Sequence, residues 1–222
     1  MFGKRISIFT GHFGSGKTEV AVNYAIKLSE MYNKTAIVDF DIVNPYFRTA
    51  DVRSELESRG IKVLAPLYAN TNVDVPSLPP EINMLFENKD YHIVFDVGGD
   101  DLGAKVLSRY NTEILEDDSE MYFVINTRRP MTLSDMGIEE MVRDIEASSR
   151  LKIDWLVNNT NLLGETTPEV IREGGKIIQK VSEKLGIPVA FISGMSPVLR
   201  QPGEWPGSAL LYMKKHIILP WD

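Results

Sequence analysis

The chain has 222 residues, 43% hydrophobic and 25% charged, with a formal net charge of −7. That length suits one α/β domain with a substantial core, and the acidic balance argues against sequence-independent DNA binding, which relies on Lys and Arg to neutralise phosphates. Cysteine is absent, which excludes disulfides, thiolate zinc sites, cysteine nucleophiles and cysteine-held iron–sulfur clusters, and no apolar run reaches the roughly 18 residues of a membrane span.

In chain order, short apolar runs alternate with helical patterns. Ile6, Ile8 and Phe9 read as a buried strand that follows the N-terminus directly, leaving no room for a signal peptide, so a cytoplasmic protein is expected. Gly11-His12-Phe13-Gly14-Ser15-Gly16-Lys17-Thr18 comes next, and then Ala21, Ala25, Leu28 and Tyr32 recur on one face of a helix. Residues 35–38 lead a strand into Asp39-Phe40-Asp41, and Asn44-Pro45-Tyr46 breaks the chain. A helix is expected over 48–59, ended by Gly60, then a strand over 61–64 and an irregular stretch over 66–76. Ser77 opens a short helix with Pro79 and Pro80 in its first turn.

The strand over 92–95 runs into Asp96-Val97-Gly98-Gly99-Asp100-Asp101, and one helix is expected over 103–118. Tyr122 to Ile125 form a strand, and Ile138, Met141, Val142 and Ile145 mark the next helix. Trp155-Leu156-Val157 is a sixth strand, giving way to Asn158-Asn159-Thr160-Asn161. Thr167 caps a helix to about Leu185 that carries Gly174-Gly175 as a weak point, and 189–192 is a seventh strand before a loop and a short final element at Leu210-Leu211. Continuous rather than alternating apolar strands predict a three-layer, mostly parallel twisted sheet of about seven strands with helices on both faces, in one domain over 1–222.

The eight residues from Gly11 to Thr18 fit the phosphate-loop pattern G-x-x-x-x-G-K-[ST], between the strand and helix that it requires. Glycines let backbone N–H groups turn toward a phosphate, and the helix N-terminus adds its positive dipole end. Gly11 through Thr18, with Glu19 beyond, are therefore the candidate nucleotide-binding residues. Lys17 is placed to stabilise charge on the transferring phosphoryl group, and Thr18 to bind Mg²⁺. Asp96 ends a strand where phosphate-loop enzymes keep a magnesium-organising acid, and Gly99, three residues on, offers an N–H to a γ-phosphate. Asp39 and Asp41, one residue apart, face the same side of their strand. Asp39 is the candidate metal residue, and Asp41 the residue that positions the attacking group. Arg128 and Arg129 follow a strand end and could hold a phosphate or an acidic substrate, or lie in a solvated loop. His12, His92 and His216 show no metal-site spacing.

The loop, the Val38-Asp39-Phe40-Asp41 strand end and Asp96-Val97-Gly98-Gly99 together resemble the MinD/ParA/CobQ-type (SIMIBI-class) nucleotide-binding family. Leu156-Val157-Asn158 resembles that family's adenine-reading strand end, which implies a base contact for Asn158. The likeness runs from about residue 5 to 200. It implies a Mg²⁺-dependent ATPase, with a nucleotide-dependent homodimer and a protein partner or small-molecule substrate. Partition-type members carry a second loop lysine where this chain has His12, so its role falls to an arginine such as Arg48 or Arg128, or is absent. ATP is expected over GTP because the Asn-Lys-x-Asp guanine signature is missing. The expected function is a nucleotide-controlled switch. The alternative is an ATP-dependent biosynthetic ligase or kinase for a small carboxylate or hydroxyl, as in dethiobiotin synthetases and cobyrinate amidases of this family. A third reading is a module that loads ATP and hardly hydrolyses it.

Overall fold

A computed structural model describes residues 3–40, 49–65, 80–99, 101–201, 205 and 207–217. Eight strands form one sheet: β1 Ile6–Thr10, β2 Thr35–Phe40, β3 Ile61–Leu64, β4 His92–Val97, β5 Ser119–Ile125, β6 Trp155–Asn158, β7 Val189–Met195 and β8 Leu210–Met213. Their order is β3-β2-β4-β1-β5-β6-β7-β8, and every pairing is parallel. The expected seven strands are all present. The eighth is the final element at Leu210, too short for its apolar pattern to distinguish strand from loop until β7 supplies a ladder.

Parallel strands need crossovers, and these supply the helices. Helices α1 (Lys17–Ser29) and α2 (Arg53–Ser58) cover one face, where Val20, Tyr24, Leu28 and Leu56 pack on Phe9, Ile37, Val94 and Val157. The opposite face carries α3 (Glu81–Glu87), α4 (Asp101–Ser108), α5 (Asn111–Leu115), α6 (Asp135–Ser149) and α7 (Pro168–Leu185), packed on Ile8, Val38, Phe95, Phe123 and Leu156. A last turn, α8 (Ser196–Leu199), follows β7. This is the three-layer α/β architecture that continuous apolar strands call for.

Three helices differ from the pattern in the sequence. The stretch expected as one helix over 48–59 is a 3₁₀ turn, Thr49–Val52, followed by α2, which Gly60 ends with φ +80°. The stretch over 103–118 divides at Tyr110 into α4 and α5, and its start extends back to Asp101. The glycine pair in α7 is no weak point. A Cβ at Gly174 would lie 2.1 Å from Thr160 Oγ1, so the missing side chain lets α7 lie against the β6 loop.

The segments before β1 and after β8 are tied into this frame. Arg5, 8% exposed, donates through Nε to Asp117 (2.7 Å) and through Nη1 to the Leu85 and Tyr91 carbonyls, bracing the amino ends of the strands. Those bonds and the ion pair hold the Asp117 carboxyl well below the usual carboxylate range. After β8, Asn23 on α1 exchanges two hydrogen bonds with the Lys214 backbone, and the Glu19 carboxylate accepts from the N–H groups of His216 and Ile217. His216 Nδ1 also meets Glu55 Oε2 on α2 at 2.9 Å.

Candidate nucleotide site

The chain runs to β4 on one side of β1 and then crosses to β5 on the other, so loops diverge at the carboxyl end of β1 and leave a crevice. The sequence puts Gly11–Thr18 there. Its backbone is folded back on itself: Ser15 N–H donates to the His12 carbonyl (2.9 Å), and Gly14 and Gly16 take φ of +77° and +82°. Only residues without a Cβ adopt such angles cheaply. Lys17 and Thr18 then open α1, both buried.

Asp39 and Asp96 flank this start. Strand alternation turns Val38, Phe40, Phe95 and Val97 toward the α3–α7 layer, so Asp39 and Asp96 lie on the α1 face with the loop. They are direct partners in the β2–β4 register and are 1% and 0% exposed. Two carboxylates set side by side away from water favour a shared proton or a bound cation. Lys17 opens α1 on the same face. Thr49 Oγ1 donates to Asp96 Oδ2 at 3.1 Å, tying the turn before α2 to the acid.

The β4 loop sits directly on the phosphate loop. A Cβ at Gly99 would fall 1.8 Å from the Gly11 carbonyl oxygen, so no side chain fits there and a backbone amide stands beside the loop instead. On the far side, two residues that the sequence did not single out as holding the loop do so. Asn159 Nδ2 donates to the Ser15 carbonyl (2.7 Å) while its Oδ1 accepts from Ser193 Oγ (3.0 Å). Arg129 Nε donates to the Gly14 carbonyl (2.8 Å). Asn126 stitches the β5 and β6 loops together, donating to the Asn161 carbonyl and accepting from Asn161 and Arg128 N–H groups.

Several sequence candidates take other positions. Asn158 is buried on the α7 side, donating to the Ile171 carbonyl and accepting from Thr160 N–H, so its side chain is engaged in the fold. The Glu19 carboxylate holds the C-terminal segment, and burial pushes its pKa up, leaving only its backbone at the loop. His12 folds back, its Nδ1–H donating to the Phe13 carbonyl (2.8 Å), while the Phe13 ring stands 59% exposed. Arg128 pairs with Glu173 on α7. Asp41, and the segment 41–48 with Arg48, lie outside the described residues, as do Ser77, Pro79 and Asp100.

The residues present fit a phosphate group with Mg²⁺. Among the described residues, the buried hydroxyls of Thr10 and Ser15 have no hydrogen-bond partner, and Ser15 lies in the loop itself. Among the described residues no cluster of three or more His, Cys, Asp or Glu could hold a metal alone. Mg²⁺ needs none, since it binds through one or two protein oxygens, phosphates and water. None of the described helices is long and apolar enough to cross a membrane.

No family model and no curated protein matches the chain. Solved structures do resemble it. FtsY from Mycoplasma mycoides aligns over 86% of this chain and 61% of its own, with 16% identity and a TM-score of 0.51. Cell division protein FtsY from Thermotoga maritima aligns over 85% and 60%, with 18% identity and a TM-score of 0.52. The signal recognition particle 54 kDa protein from Aeropyrum pernix, in complex with GDP, aligns over 84% and 40%, with 18% identity and a TM-score of 0.51. The chain thus spans about six-tenths of the FtsY chains' length and four-tenths of the third's. At such identities the likeness is one of fold: a parallel sheet with helices on both faces, of the P-loop NTPase type.

Proposed function

We propose that this chain binds a nucleoside triphosphate with Mg²⁺, prefers ATP, hydrolyses it, and serves as a nucleotide-controlled switch for a protein partner in the cytoplasm. The observation that carries this reading is the buried Asp39–Asp96 pair on the face that also bears Lys17, Thr18 and the phosphate loop. Lys17 would neutralise charge on the phosphoryl group, and Thr18 with the two acids would hold Mg²⁺, directly or through water. Magnesium, when bound, supplies charge neutralisation at the phosphates. Asp41 would orient the attacking group.

The way the loops are joined supports the switch. Gly99 touches the phosphate loop backbone, and Thr49 touches Asp96, so one ligand could bias the segments after β4 and β2 together. The narrower kinship with MinD/ParA/CobQ-type proteins belongs to the same proposal. So does adenine. The chain lacks the guanine signature, although its structural relatives include a GDP complex.

Calorimetric titration with MgATP, MgGTP and MgADP, combined with amide exchange, tests both parts. Expected are tighter binding of ATP than GTP, and slowed exchange in 41–48 and 97–103 with a non-hydrolysable ATP analogue but much less with ADP. Tighter GTP binding would overturn the adenine assignment. Equal protection by ADP and the analogue would overturn the switch and favour a biosynthetic enzyme.

A further inference from the structure

The two arginines after β5 are held differently. Arg128 pairs with Glu173 on α7, while Arg129 lies on the phosphate loop. The Arg129 guanidinium takes up the space that a side chain at Gly14 would fill: a Cβ there would meet Nε at 3.0 Å and Cζ at 3.3 Å. The backbone presenting it is fixed. Arg129 N–H donates to the Asn126 carbonyl, its own carbonyl accepts from Thr132 N–H, and Thr132 Oγ1 donates to the Asn126 carbonyl at 2.6 Å.

A guanidinium has five N–H donors in a rigid fork. The Gly14 carbonyl takes one, and among the described residues none accepts from Nη1 or Nη2. A brace for one carbonyl would need a single donor. Four further donors and a fixed charge, partly buried beside an anion-binding loop, suit an anion better than a carbonyl alone. The His12 ring is turned onto its own loop, Nδ1–H donating to the Phe13 carbonyl.

We propose that Arg129 is the chain's own cationic contact to the terminal phosphate of a bound triphosphate, acting in cis. The assignment rests on the nucleotide reading above. Arg129 would then discriminate triphosphate from diphosphate and stabilise the charge that builds up on the phosphate oxygens during transfer.

The test uses Arg129→Gln and Arg129→Lys in the full chain, with melting temperature as the check on folding. Affinity for MgADP and for a non-hydrolysable MgATP analogue is measured by calorimetry, and turnover by phosphate release. Expected for Arg129→Gln is ADP affinity within about 2-fold of wild type and a loss of the analogue's advantage over ADP. Turnover should fall on the order of 10³-fold, the scale typical of an arginine at a transferring phosphate. Arg129→Lys should recover part of the analogue's advantage, because it keeps the charge without the fork. Equal weakening of ADP and analogue would make Arg129 a brace and overturn the proposal, as would wild-type turnover in Arg129→Gln. A wild-type protein that binds neither nucleotide would be seen before any variant was made, and would remove the underlying reading as well.

Discussion

Replacing Asn159 by Asp preserves shape and changes one donor into an acceptor. Asn159 is 2% exposed, with Nδ2 2.7 Å from the Ser15 carbonyl and Oδ1 accepting from Ser193 at 3.0 Å. In Asn159→Asp the Ser193 bond survives, but the loop carbonyl faces a carboxylate oxygen. The lost bond costs about 1 kcal/mol, and leaving a buried carbonyl unpaired costs about 1–3 kcal/mol more. A total near 3 kcal/mol lowers the melting temperature of a domain this size by about 6–12 °C. The sign with pH is fixed by burial. The new carboxyl has a folded-state pKa above its unfolded value of about 3.9, so the native state holds the proton more tightly than the unfolded chain. Its stability is greatest at low pH, where the protonated group donates to Ser15, and falls as pH rises through the folded pKa. Scanning calorimetry of both proteins at pH 5 and pH 8 should show a gap that widens at pH 8. A gap under about 2 °C at pH 8, or one equal at both values, would refute the assignment of Asn159 as the residue that holds the loop.

Lys17→Ala should abolish measurable MgATP binding while leaving the melting temperature within a few degrees, as checked by calorimetry. Asp41→Ala should bind MgATP as wild type does but lose turnover in a phosphate-release assay; a binding loss equal to that of Lys17→Ala would make Asp41 a metal or structural residue. Gly99→Ala forces a carbon to 1.8 Å from the Gly11 carbonyl, so it should cost about 2–3 kcal/mol in urea unfolding and weaken nucleotide at least 10-fold by titration. Asp117→Asn strands the buried Arg5 guanidinium and should cost about 3 kcal/mol. Because the Asp117 pKa is depressed, its contribution is present above pH ~4 and lost as pH falls, so wild type and variant should converge in acid unfolding.

What the sequence revealed was local. The phosphate loop is a contiguous pattern whose φ angles and neighbouring elements follow from its glycines, and Asp39 and Asp96 could be placed because each ends an apolar run. What it concealed depends on which face of the sheet receives which helix. Asn158 and Asn159 are adjacent, so alternation sends them to opposite faces. Only once Val157 is seen against α1 and Leu156 against the other layer does the loop partner become Asn159. Arg128 and Arg129 differ in the same way, one turned to α7 and one to the loop. Gly174 looked like a defect in a helix because its reason, Thr160, is fourteen residues away in another element. Glu19 carried no sign of its C-terminal partners, which lie 197 and 198 positions further along.

That last contact bears on biosynthesis. Glu19 and Asn23 sit within two turns of the phosphate loop, and their partners are made 191 to 198 positions later. Until residues 214–217 emerge, α1 has a carboxylate with no backbone amides to meet and an apolar flank not yet covered by Leu211, Met213 and Ile217. Such distant closures come late in folding, since the entropy of bringing the ends together is lost before the contacts form. The helix that presents Lys17 and Thr18 therefore reaches its final setting only after residues 214–217 have been made. A chain cut before residue 214 would carry the phosphate-loop sequence without this support for α1.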